Sequence, residues 1–160
     1  MHIATNSSKF DISKEIDTAK IAKKVSKAIK DGDVLFFYGD IGVGKTTFIK
    51  YLINNLQKIN RSKLTEVTSP TFSIVNEYKV GNTKILHYDL YRIKNKKELT
   101  QLGIFEEGMN SIKIIEWPEL VETNLVNRLE LYLKHSDKEN ERELSIKGYG
   151  KWKEINKDEL

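Results

Sequence analysis

Lys45 and Thr46 close the run GDIGVGKTT (residues 39–47), which fills all four fixed positions of the pattern G-x-x-x-x-G-K-T with Gly39, Gly44, Lys45 and Thr46. Glycines let a backbone wrap an anion with its N–H groups turned inward. A helix starting at the end of the run adds the positive end of its dipole. A lysine in that place reaches the β- and γ-phosphates of a nucleotide, and the threonine hydroxyl ligates Mg²⁺. The residues expected around the phosphates are therefore Asp40, Ile41, Gly42, Val43, Gly44, Lys45, Thr46 and Thr47. A phosphate cradle alone hydrolyses nothing. It needs a carboxylate for the metal or its water shell, and a group that orients water. Two apolar runs end in acids, KILHYD in Asp89 and SIKIIE in Glu116. These two acids with Lys45 form the expected catalytic set, and with Thr46 the expected metal set.

Such a loop works only between a strand and a helix, and the flanks supply both. VLFFY (residues 34–38) is short, aromatic and β-branched, as a buried strand is. TTFIKYLINNLQKI carries Phe48, Ile49, Leu52, Ile53, Leu56 and Ile59 on one helical face. Ligands of open α/β sheets lie beyond the carboxyl ends of parallel strands, so the strands ending in Asp89 and Glu116 are expected beside the first. Upstream, residues 9–12 read as a short strand. A helix with Ser13 as N-cap follows, with apolar positions Ile16, Ala19, Ala22, Val25, Ala28 and Ile29, and ends at Gly32. Downstream, residues 60–69 read as a loop, and 71–80 and 83–90 as a hairpin turning on Gly81-Asn82. Asn95 and Glu98 predict a capping box for the short helix KKELTQL, stopped by Gly103. Residues 111–115 predict a further strand, and 128–134 with 143–147 a C-terminal hairpin. The charged tail from Gly148 is expected to fray. The fold class is α/β: a single P-loop NTPase domain over residues 1–160, with a mixed sheet flanked by helices and a C-terminal β-hairpin.

Four other positions each carry two readings. Ser69 to Thr71 (SPT) stand where switch-type NTPases keep a γ-phosphate sensor, or form a turn entering a strand. His87 shares a strand face with Asp89 and either orients it or fills the core. Trp117 stacks on a ligand or anchors packing before Pro118. Arg92 stabilises charge or pairs with a neighbouring acid.

Composition narrows the rest. With 160 residues the chain can bury about 70% of its unfolded surface, which leaves little room for a separate substrate domain. There is no cysteine, hence no disulfide framework or thiolate metal site. No apolar run approaches the ~20 residues of a membrane span. The opening MHIATNSSKF lacks the apolar core of a signal peptide, so a cytoplasmic location without a membrane partner is expected. The terminal KDEL (157–160) is an ER-retention address only on a secreted chain, and reads as coincidence. The net charge of +4 comes mostly from dispersed lysines, with Arg61, Arg92, Arg128 and Arg142 as the arginines. It is weak support for an acidic or RNA-containing partner.

GDIGVGKTT, SPTFSIVNEY, HYDLYR and IEWPE, in that order and spacing, resemble the TsaE-type P-loop ATPases of bacterial tRNA threonylcarbamoyladenosine biosynthesis. The likeness runs from about Ile16 to Glu119. It implies an ATP·Mg²⁺ site in which Thr46 and Glu116 resemble the family's magnesium ligands and Asp89 its Walker-B-like acid. Thr18 resembles a helix threonine near the adenine. Glu119 and the hairpin around Arg142 are similar to segments that approach the nucleotide. The resemblance further implies an accessory ATPase that joins the heterodimer of the transferase and its paralogue, supports repeated modification of adenosine 37, and reaches tRNA only indirectly. Two alternatives stand beside it: a small P-loop kinase, and a nucleotide-gated binding module with negligible hydrolysis.

Overall fold

The computed structural model describes residues 8–106, 109–122 and 125–155. Seven strands form one sheet in the order β1-β7-β6-β2-β5-β4-β3. They are β1 (Ser8–Asp11), β2 (Val34–Tyr38), β3 (Val75–Val80), β4 (Thr83–Asp89), β5 (Ile112–Glu116), β6 (Arg128–His135) and β7 (Arg142–Tyr149). The helices are α1 (Glu15–Ala28), α2 (Lys45–Ile59) and the short α3 (Lys96–Gln101). The central strands β6, β2, β5 and β4 run parallel, whereas β3 and β7 pair antiparallel with their neighbours and β1 closes the far edge against β7.

The two-residue period of the strands sorts side chains onto two faces. Leu35 and Phe37, Ile85, Ile112 and Ile114, and Leu129, Leu131 and Leu133 share one core with Phe48, Ile49, Leu52, Ile53 and Leu56 of α2 and with Ile21, Ala22 and Val25 of α1. The opposite face carries Val34, Phe36, Leu86, Tyr88 and Ile115 against Leu90, Ile104 and Val121, with Leu99 of α3 packed on that cluster. β2 lies in mid-sheet, buried on both faces, as its unbroken apolar run requires.

Several boundaries differ from the sequence expectation, each for a local reason. Ser13 does not cap α1. Lys14 takes the N-cap position without a side-chain bond, and the Ser13 hydroxyl donates to Asp11 Oδ1 at 2.5 Å. The helix ends at Ala28, because Ile29 turns extended and buries its side chain in the core. Gly32 (φ 83°) serves the turn into β2 instead. β3 begins at Val75 and not at Thr71, since residues 70–74 close into a turn through Ile74 N–H to Pro70 O at 2.7 Å. The tail is not frayed to Ile155. β7 continues to Tyr149 and a 3-10 turn (Gly150–Trp152) buries Trp152 in the core. Gly148 permits this, because a Cβ there would lie 1.9 Å from the Trp152 carbonyl oxygen. The capping box is present in part. Glu98 N–H donates to Asn95 Oδ1 at 3.0 Å, while the Glu98 carboxylate accepts from Lys94 N–H. Residues 157–160 lie outside the described residues. Among the described residues, no helix is long and apolar enough to cross a membrane.

Candidate functional site

β4 and β5 are parallel and in register, Asp89 opposite Glu116, and Glu116 in turn lies opposite Phe37 of β2. Both acids belong to the strand face that packs on α2. The two carboxylates therefore stand side by side at the carboxyl edge of the sheet, beside the loop that leads from β2 into α2. They wall a cleft of about 340 Å³ together with Gly42, Gly44, Lys45, Thr46, Thr47, Ser69, Thr71, Trp117 and Arg142.

The loop is shaped by its glycines at two points in particular. A Cβ on Gly39 would lie 2.4 Å from the Leu133 carbonyl oxygen, so only glycine lets the loop settle against β6. Gly44 occupies the N-cap of α2 with φ 111°, a left-handed conformation that side chains resist. Lys45 begins the helix and is 5% exposed. Its Nζ donates to the carbonyl oxygens of Gly39 at 2.5 Å and Asp40 at 2.9 Å, and sits 4.1 Å from the centroid of Trp117. Burial pushes the Lys45 ammonium below its ordinary pKa, while Glu116, Asp89, Glu119 and Asp40 pull the other way.

The two acids are held differently. Asp89 Oδ2 accepts from Ser69 Oγ at 3.0 Å and Thr71 Oγ1 at 3.1 Å, and its Oδ1 accepts from Tyr91 N–H at 3.0 Å. Glu116 Oε1 is bonded to His87 Nε2 at 2.8 Å. The SPT segment is thus a turn tied directly to a site acid. His87 is bonded to Glu116, not to the Asp89 with which it shares a strand.

Of the residues singled out in the sequence, Ile41, Gly42, Gly44, Lys45, Thr46, Thr47, Asp89, Glu116 and Arg142 meet on the cleft wall. Asp40 contributes through its carbonyl, and Val43 is buried beneath the loop. Thr18 is buried on α1 and Glu119 is exposed in the 3-10 turn Pro118–Leu120; neither lines the cleft. Arg92 lies over the Phe72 ring at 5.6 Å, off the cleft wall. Trp117, with φ 56°, and Tyr91 join the wall. Arg142 is anchored by donating to the Ser13 carbonyl at 3.3 Å.

Among the described residues, no group of three or more His, Cys, Asp or Glu side chains is placed to hold a metal by itself. The oxygen donors on the cleft wall, Thr46, Asp89 and Glu116, suit Mg²⁺, which takes one or two protein oxygens and completes its shell from phosphates and water. Thr46 and Glu116 fit the direct positions. Asp89, with both oxygens engaged, suits the water shell. The glycine loop at the N-terminus of α2 and the buried lysine fit a polyphosphate.

A glycine loop between a central parallel strand and a helix, with acids closing the neighbouring strands, defines a P-loop NTPase fold, the class built around a nucleotide. The comparisons with known proteins narrow the class. The family model described as threonylcarbamoyl adenosine biosynthesis protein TsaE matches residues 12–144, and the chain belongs to that family. It is 39% identical over 137 residues to the tRNA threonylcarbamoyladenosine biosynthesis protein TsaE of Rickettsia felis, covering 84% of this chain and 77% of the relative. It is 36% identical over 145 residues to the protein of the same name from Bacillus subtilis, covering 90% and 87%. The crystal structure of Bacillus subtilis YdiB is similar with a TM-score of 0.74 at 28% identity, over 97% of this chain and 93% of that one.

Proposed function

We propose that this chain is a Mg²⁺-dependent ATPase of the cytoplasm, an accessory subunit in the threonylcarbamoylation of adenosine 37 of tRNA. It docks on the heterodimer of the transferase and its paralogue and supports repeated rounds by hydrolysing ATP. Family membership supports the pathway. The observation that carries the switching role is Asp89, whose single carboxylate is bonded to Ser69 and Thr71 on one oxygen and to the Tyr91 amide on the other. An acid at the end of a phosphate-site strand that also holds a hydroxyl loop couples the state of the site to the position of that loop.

In this reading backbone N–H groups of the glycine loop and the Lys45 ammonium bind the phosphates. The Thr46 hydroxyl and Glu116 would hold Mg²⁺, which would supply charge neutralisation at the phosphates. Asp89 orients water and keeps Ser69 and Thr71 within reach of the terminal phosphate. Arg142, tied to Ser13, borders the cleft beside Gly44 and steadies the nucleotide there. The kinase alternative needs a mobile, arginine-bearing lid, whereas residues 60–74 between α2 and β3 hold no helix and only Arg61.

Single-turnover hydrolysis at saturating Mg²⁺ tests the proposal, run with the pure chain and again with the purified heterodimer. A slow rate alone and a gain of up to about 10³–10⁵ with the heterodimer is expected, the range an arginine arriving in trans supplies in related chemistry. Equal rates, or docking indifferent to nucleotide, would refute it.

A further inference from the structure

Metal-binding carboxylates need something that fixes which oxygen faces the ion, and here the candidate comes from the neighbouring strand. His87 lies opposite Ile114 and Glu116 opposite Asp89, so His87 and Glu116 are diagonal neighbours on one sheet face. The side chains are 0% and 3% exposed, with His87 Nε2 2.8 Å from Glu116 Oε1. The other ring nitrogen, Nδ1, is buried without a hydrogen-bond partner. The ring is also tilted against Tyr78, with centroids 6.4 Å apart. A carboxylate oxygen can only accept, so the proton of this pair sits on Nε2, while Nδ1 is buried with no partner. A histidine kept solely for packing has no need to leave one nitrogen unsatisfied while aiming the other at a site acid.

We infer that His87 is the positioning residue of the metal site: its Nε2–H commits Glu116 Oε1 to the protein and leaves Oε2 for the cation. The inference rests on the proposed reading of Glu116 as a Mg²⁺ ligand. It separates the two strand-end acids by function. Asp89 spends both oxygens on hydroxyls and an amide, whereas Glu116 has one oxygen oriented and one to give. Partners of this kind, one bond removed from the ion, change metal affinity about 10–100-fold when lost.

The test uses the full chain with a fluorescent ATP analogue, titrated with Mg²⁺ and, separately, bound in EDTA. His87→Leu is expected to raise the Mg²⁺ half-saturation about tenfold or more, while affinity in EDTA stays within about twofold. His87→Gln, whose amide nitrogen replaces the Nε2–H donor, should restore the Mg²⁺ response to within about threefold of the parent. A purely structural histidine would lower both arms together, or leave both unchanged, and either result overturns the inference. Glu116→Gln run in parallel distinguishes the two levels. If it leaves the Mg²⁺ response unaltered, the site reading falls and the inference with it. If it shifts the response and His87→Leu does not, only the inference falls. Should His87→Leu not fold, ¹⁵N NMR of the parent imidazole decides. A proton on Nε2 supports the assignment, and an Nε2 without a proton refutes it.

Discussion

Replacing Lys45 by methionine should leave the fold intact and disable nucleotide binding, because the gain and the cost of burying the ammonium nearly cancel in the free protein and do not cancel when a phosphate is bound. It is 5% exposed and bonded to two carbonyl oxygens at 2.5 and 2.9 Å. Hydrogen bonds to charged groups contribute about 1.5–3 kcal/mol each. Against them stands the desolvation of a buried cation, several kcal/mol, the same penalty that holds the Lys45 pKa below 10.5. The two effects are alike in size and opposite in sign, and methionine keeps most of the volume. Folding stability should therefore change by less than about 1 kcal/mol, a melting shift within roughly 4 °C for a chain of this size. Binding has no such compensation. Loss of one charge-assisted phosphate contact, about 1.5–3 kcal/mol, raises Kd about 10- to 150-fold. Thermal unfolding without nucleotide and calorimetric titration with a non-hydrolysable ATP analogue and Mg²⁺ read the two separately. An unchanged Kd would refute the phosphate role. A melting loss of ten degrees would show that Lys45 is mainly a structural clamp for the loop.

The same lysine sets a pH dependence. Because its pKa in the free protein lies below 10.5 and phosphates restore the charged form, nucleotide affinity should fall as pH rises through a midpoint below 10.5, with proton uptake on binding; Lys45→Met should show no such step. Folding of the free protein responds with the opposite sign. Between the folded and unfolded lysine pKa values the unfolded chain binds more protons, so stability rises with pH across that window. Glu116→Gln should raise the Mg²⁺ needed for binding, since a neutral amide is a poor ligand, as the metal titration described above reads out. Asp89→Asn should cut turnover with nucleotide still bound and speed amide exchange at residues 69–74; unaltered exchange there would contradict the tie to Ser69 and Thr71. Gly148→Ala should destabilise by about 1–3 kcal/mol and expose Trp152, visible as a red-shifted emission and a lower melting temperature.

The parts of the site legible from sequence were those that depend on local order along the chain. The phosphate loop needs three elements in succession, and β2, the glycine loop and α2 follow one another within 26 residues. The acids were legible because each closes an apolar run, and parity alone puts them on one face once the strands are parallel. What was not legible depends on register. Parity correctly placed His87 on the face of Asp89, yet its partner is the diagonal residue of the next strand, which no single-strand pattern reveals. Residues 71–74 alternate as a strand does, but the Thr71 hydroxyl is claimed by Asp89, 18 residues away, and the Ile74 N–H returns to Pro70 O, so the chain closes into a turn. The tail looked frayed because a charged composition hides a lone tryptophan, and only the bare Cα of Gly148 lets that ring reach the core. Thr18 and Glu119 came from family likeness, not from patterning, and stand off the cleft wall.

The position of Arg142 has a consequence for how the protein is made. The arginine reaches the cleft from β7, and its amide and guanidinium are both fastened to Ser13, 129 residues earlier. Among the described residues, β1, which leads into Ser13, pairs only with β7. While the chain emerges from the ribosome, the glycine loop and the strands ending in Asp89 and Glu116 are available first. The wall beside Gly44 waits for the last strand. Contacts of such long sequence separation are slow to form and carry a high loop-closure cost. A nascent chain halted before β7 would thus hold a phosphate cradle with one side open, and the nucleotide site is completed in the same step that seals the sheet.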